Sequence, residues 1–101
     1  MSKQRTEAVE REIAQEKAEA LGLAGKMLET ALAELRAHDA NACAKSDPTG
    51  AAREKLLANA AYRLQNVVIQ RESQGLRDPH FVFKFYSVPR EIVARMGARP
   101  R

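Results

Sequence analysis

The chain has 101 residues, and its 45% apolar fraction rests on 18 alanines, so only 21 Leu, Ile, Val and Phe side chains remain to build a core. That is enough for one small domain and little above the composition at which chains stay disordered, so an apolar contact with another subunit is a useful source of stability. A single cysteine, Cys43, excludes an internal disulfide, and the formal charge of +4 is uneven: residues 1–40 contribute −2, 41–70 contribute +2 and 71–101 contribute +4.

From Thr6 to His38 the chain has no proline and carries an apolar stripe at helical spacing, with Val9, Ile13, Ala20, Ala24, Leu28, Ala31 and Leu35 near steps of 3.6 and Leu21 and Leu32 widening it. A helix of that length spans about 50 Å, several times the roughly 13 Å radius of gyration of a compact chain this size. It must bend, overhang or find a second chain. Gly22 and Gly25 interrupt the middle, each costing up to about 1 kcal/mol against alanine in a helix interior. Two readings stay open: a close crossing, where Ala18, Gly22 and Gly25 admit another backbone, or a kink into two shorter helices.

Residues 39–46 lose the periodicity and form a connection. Ser46 or Asp47 is placed to cap a second helix, with Pro48 in its first turn. Leu56, Leu57, Ala60, Ala61, Leu64, Val67 and Val68 line one face of that helix, and Gly75 followed by Leu76 marks a Schellman-type stop. At about 25 residues it is long enough to pair antiparallel with the C-terminal half of the first helix.

Beyond Arg77-Asp78-Pro79, the alternation of Phe81, Phe83 and Phe85 reads as a strand, but a strand here has no mate unless a second subunit supplies one. A short helix is preferred, capped by Asp78, with Phe81 and Phe85 facing the core. Ser87-Val88-Pro89 makes the next turn, and Ile92, Val93 and Met96 form a last amphipathic turn or two, with Glu91 pairing to Arg95 and Gly97 ending it. The ends, 1–5 and 98–101, are expected to be loose tails of a single helical domain spanning 1–101.

The chemistry-bearing residues are sparse. His38, His80 and Cys43 fall in three local settings without the spacing of a metal site, and Cys43 with His38 lacks the third, orienting group of an activated nucleophile. No glycine-rich phosphate loop appears. Neither a catalytic residue, a metal site nor a cofactor is expected. The polar cluster of Gln70, Arg71, Glu72, Arg77 and Asp78 reads as helix-end chemistry in preference to an anion site. A partial helix-turn-helix spacing covers Pro79 to Met96, with Val82, Tyr86, Val88, Val93 and Met96 at packing positions, although Phe83 stands where a small residue is usual. In that alternative Arg90, Arg95, Arg99 and Arg101 contact nucleic acid.

Ala20-Leu21-Gly22-Leu23-Ala24-Gly25-Lys26, Gln70-Arg71-Glu72 through Gly75-Leu76-Arg77-Asp78, and Val88-Pro89-Arg90-Glu91 through Met96-Gly97 together resemble a family of small bacterial helical proteins of unknown function, from about Glu10 to Gly97. The resemblance implies a helical class and a cytoplasmic setting, and carries no activity, cofactor or site residue with it.

The expectation is therefore an all-α fold: a long N-terminal helix packed antiparallel on a second long helix as a helical hairpin, with two short C-terminal helices. The start of the chain lacks the apolar region of a secretory signal, and no uncharged stretch approaches the roughly 20 residues of a membrane span. The expected function is a non-catalytic helical interaction module of the cytoplasm. It forms a homodimer, in the manner of a coiled coil, through Val9, Ile13, Leu21, Leu28, Leu32 and Leu35 of the first helix. A small DNA-binding regulator is the alternative.

Overall fold

The structure, a computed structural model, describes residues 2–41 and 49–96 and contains four helices: α1 (Ser2–Ala40), α2 (Ala51–Ser73), α3 (Pro79–Phe85) and α4 (Arg90–Met96). α1 runs unbroken for 39 residues, so the kink is not formed. At 1.5 Å per residue it is about 58 Å long, which accounts for most of the 68 Å length of a molecule only 25 Å across. The backbone of residues 2–5 belongs to its first turn, while 98–101 and the Cys43 connection lie outside the described residues.

α1 and α2 run antiparallel. The Gln74 side chain, just past the end of α2, donates to the Lys17 carbonyl at 2.8 Å, and Arg53, early in α2, bonds Asp39 at the other end of α1. Residues of α1 before Lys17 therefore extend beyond the end of the hairpin. The core is built from Leu28, Ala31, Leu32 and Leu35 of α1, the face of α2 carrying Leu57, Ala60, Ala61, Leu64 and Val67, and one anchor each from α3 and α4, Val82 and Ile92. No polar or charged side chain is buried among the described residues. Such a core rests on the transfer of a few large side chains, each worth about 1.5–3 kcal/mol.

The helix ends follow local chemistry. α2 begins at Ala51 after Gly50, which is left-handed and gives no side-chain cap; the expected start, capped by Ser46 or Asp47 with Pro48 in the first turn, is not formed, because Thr49 and Gly50 stand ahead of the helix, and Ser46, Asp47 and Pro48 themselves lie outside the described residues. α2 ends in the expected Schellman motif, with Leu76 N–H on the Arg71 carbonyl at 2.9 Å, Gly75 N–H on that of Glu72 at 3.0 Å, and Gly75 at φ 84°. α3 is the expected short helix: the Asp78 side chain accepts from His80 N–H and Pro79 occupies the first turn. It closes with the same motif, Val88 N–H on the Phe83 carbonyl and Ser87 N–H on that of Lys84, but with Ser87, not glycine, at φ 52°.

The phase of α3 corrects one expectation. Phe81 and Phe85 point outward, 49% and 66% exposed, while Val82 is buried and Phe83 and Tyr86 pack against the core. Tyr86 decides this phase. Its hydroxyl lies against the backbone of α1 at Gly25, where a Cβ would overlap it. Gly25 is thus a close approach, made by a side chain instead of a second backbone, whereas nothing lies within 4 Å of a Cβ placed at Gly22.

Candidate functional site

Residues 6–20 of α1 are exposed at every position, although Val9 and Ile13 are among them. This follows from what the core-facing phase of the helix offers. Counted towards the N-terminus from Leu32 and Leu28 through Gly25 and Leu21, that phase reaches Ala18, Ala14, Arg11 and Glu7, which give α2 nothing to cover. The remaining apolar residues lie on another phase, so they project into water on a helix stretch about 22 Å long.

The six residues expected at a subunit contact are thereby divided. Leu28, Leu32 and Leu35 are 0–2% exposed within the chain's own core; they are occupied by α2 and leave no surface to a second chain. Leu21 is half-buried at the edge of the core. Only Val9, 52% exposed, and Ile13, 45%, stand open. Steps of 3.6 along the sequence merge two stripes that the fold separates, one facing α2 and one facing water.

The outer stripe does not stop at Ile13. Leu23 and Met27, 58% and 41% exposed, continue it alongside the hairpin. There a shallow furrow runs between α1 and α2, lined by Ala20, Leu23, Ala24 and Met27 on one wall and Arg63, Asn66 and Gln70 on the other. It continues past Met27 and Arg63 to Thr30, Glu34 and Asn59, with Lys26 at its margin. Arg63 reaches over this floor, its Nη1 3.4 Å from the Met27 sulfur. Leu23 and Met27 were not among the expected contacts, yet their signal is in the sequence: counted from Val9 and Ile13 in alternating steps of three and four, they fall in place.

A second exposed patch lies on α3, where Phe81 and Phe85 stack with ring centroids 5.6 Å apart. The Arg71 guanidinium sits over the Phe81 ring at 4.8 Å, a cation–π contact. Arg71 thus serves the α2–α3 junction, in keeping with the helix-end reading of its cluster.

At the opposite end of the molecule Arg53 joins three helices. It donates through Nε and Nη2 to Asp39 of α1 at 2.8 and 3.1 Å, and through Nη2 and Nη1 to Glu91 of α4 at 2.7 and 3.2 Å. These hydrogen bonds from Arg53 hold both carboxyls below their ordinary range and push the guanidinium itself upward. Arg95 pairs with Glu54 of α2. Both charged side chains of α4 expected to pair with each other, Glu91 and Arg95, are therefore turned to α2: Ile92 seats the helix on that neighbour, and partners there are closer than one turn along so short a helix. Burial raises the Tyr86 hydroxyl, with Glu29 adding to the effect.

This arrangement bears on the nucleic-acid candidates. α3 and α4 each pack on α2, where a helix-turn-helix packs its two helices on one another. Arg95 is engaged by Glu54, Arg90 is exposed, and Arg99 and Arg101 lie outside the described residues. The described residues hold no group of three or more His, Cys, Asp or Glu able to bind a metal ion, and His38 has its Nδ1 3.6 Å from Asp39. No helix among them is long and apolar enough to cross a membrane.

No curated protein and no solved structure matches the chain. A family does, over residues 2–101, nearly the whole length in which the long α1, the hairpin and the two short helices are laid out: the chain belongs to the family of unknown function DUF6665.

Proposed function

We propose that this protein is a non-catalytic helical interaction module that self-associates as a homodimer through α1. The observation that carries the reading is the overhang: residues 6–20 are exposed throughout, with Val9 and Ile13 on one side of a helix that its own domain does not cover. Isolated helices of that length are marginal in water, and an apolar pair held out on one gains most from a partner that buries it. The same section is acidic, with Glu7, Glu10, Glu12, Glu16 and Glu19 against Arg11 and Lys17, so the partner surface it suits is apolar with basic margins.

We place its action in the cytoplasm of a bacterium, on the lone cysteine and on the resemblance noted from the sequence. The non-catalytic reading rests on the carboxylates of α1, which are spread along an exposed helix face instead of converging in an enclosed cleft. Light scattering on a sizing column, across a range of protein concentration and at low and high salt, tests the reading. A concentration-dependent dimer that persists at high salt is expected, and dissociation by Ile13→Asp without loss of helicity ties it to α1. A dimer indifferent to Ile13→Asp, or retention on duplex DNA that is lost on replacing Arg90 and Arg95, overturns it in favour of the C-terminal third.

A further inference from the structure

Val9, Ile13, Glu16, Ala20, Leu23 and Met27 succeed one another at alternating steps of four and three, and every one of them is exposed. That is the spacing of a coiled-coil seam, and at about 100° per residue it lies about a third of a turn from the face that Leu28 and Leu32 present to α2. The seam has two halves in different surroundings. Its first half, through Glu16, rides on the overhang, and its second forms one wall of the furrow between α1 and α2.

Resting on the self-association proposed above, we infer that the overhang of one chain lies antiparallel in the furrow of a second copy, each chain both giving an overhang and receiving one. A two-fold axis then passes beside the middle of the seam. Val9 packs on the partner's Met27, Ile13 on the partner's Leu23, and Glu16 beside the partner's Ala20. The contact is isologous and closes at two chains. The pair of α1 helices forms the centre of a four-helix arrangement, flanked by the two α2 helices.

Length, the overall charge of the two surfaces and pairing within the seam support this seat. The overhang from Ser2 to Lys17 is about 24 Å long and the furrow from Ala20 to Glu34 about 22 Å, both at 1.5 Å per residue, so the one fills the other. Residues 6–19 carry five glutamates against Arg11 and Lys17, whereas the furrow presents Lys26 and Arg63 with Glu34 at its far end. In the inferred register Glu12 comes beside the partner's Lys26. A parallel pairing stacks Glu16 on its own copy in the seam; the antiparallel one sets it against alanine. Glu16 is one weak point of the contact, since a charge at a packing position lowers affinity while fixing register, and Glu19, which meets its own copy beside the two-fold axis in this register, is the other.

Cross-linking reads the register directly. In a Cys43→Ser background, Val9→Cys and Met27→Cys are prepared separately, mixed in equal amounts and oxidised with oxidised glutathione, with light scattering on each sample before oxidation. The expected result is a covalent dimer from the mixture and little from either variant alone. Self-linking of Val9→Cys by itself, or a dimeric mixture that forms no mixed disulfide, overturns the antiparallel seat and leaves self-association standing. A monomer mass for the unsubstituted chain at every concentration overturns both. Surface substitutions supply a second reading that does not depend on thiol geometry. Leu23→Asp is expected to raise the dimer dissociation constant about tenfold or more, while Phe85→Asp on the other exposed patch leaves it unchanged. The reverse pattern moves the contact to α3 and overturns the inference.

Discussion

Residues 6–20 of α1 are exposed at every position, whereas residues 21–35 bury Gly25, Leu28, Ala31, Leu32 and Leu35. Both stretches are made of good helix formers, and the backbone runs through them without interruption. What separates them is the size of the side chain on one phase. Leucine holds that phase in the second stretch, and alanine, arginine and glutamate hold it in the first. Propensity continues the helix, but only the leucines give it a neighbour. A helix can therefore outlast its own core, and the portion that does so is available for a surface that is not its own.

Single substitutions sharpen the contrast, and the largest effect belongs to the covered half. Leu28→Ala removes a fully buried side chain and is expected to cost about 2–5 kcal/mol in urea-induced unfolding. Ile13→Ala, at concentrations where the chain is monomeric, should stay within about 0.5 kcal/mol of the parent. Equal losses at the two positions would break the division of α1 into a covered and an uncovered half.

The two central glycines repeat the comparison on a smaller scale. Gly25→Ala drives a methyl group into the Tyr86 hydroxyl, and shifting that packed ring should cost about 1–3 kcal/mol, set against the roughly 1 kcal/mol that alanine returns through helix propensity. Gly22→Ala meets nothing and keeps only the gain, about 0.5–1 kcal/mol. Opposite signs in thermal melts are the expected outcome. A loss at Gly22 would mean that this position, too, receives a close neighbour. Ser87→Gly, at the left-handed close of α3, should stabilise by about 0.5–1 kcal/mol, because the roughly 1–2 kcal/mol of left-handed Cβ strain that is relieved exceeds the entropy that glycine adds to the unfolded chain.

The smallest effect concerns the end opposite the overhang. Hydrogen bonds from Arg53 lower both the Asp39 and Glu91 carboxyls, so their contribution is fully present above the ordinary carboxylate range, near pH 4–5. It is lost as pH falls through the lower folded values. All three side chains are part exposed, so the contribution is small and weakens with salt. The expected result is that Arg53→Gln lowers the melting temperature slightly at pH 7 and low salt, and that the difference from the parent shrinks as pH is taken below the ordinary carboxylate range. A difference that persists there would show that Arg53 acts through packing of its stem instead.

Much of this fold is legible in the sequence. The hairpin, the face of α2, the Gly75 stop and the Asp78 cap follow from periodicity and from residues whose backbone chemistry is local. The phase of α3 does not, because Phe81 and Phe85 satisfy a helical stripe as well as Val82 and Tyr86 do; the choice is made by Gly25, more than fifty residues away, which leaves room for the Tyr86 hydroxyl where a Cβ would stand. The candidate site is legible in part. Val9 and Ile13 stand out as apolar residues without a core, but Leu23 and Met27 hide among the leucines and alanines of the same segment until the direction of α2 is known. The partners of Glu91 and Arg95 likewise depend on where α4 lands.

The most direct test of self-association through the overhang is the solution mass of the full chain beside its Ile13→Asp variant, measured by light scattering over a concentration series. Twice the monomer mass of 11.2 kDa is predicted for the parent, the monomer mass for the variant, and the same helicity in both. A parent that stays at the monomer mass at every concentration, or a variant that remains dimeric, would contradict it.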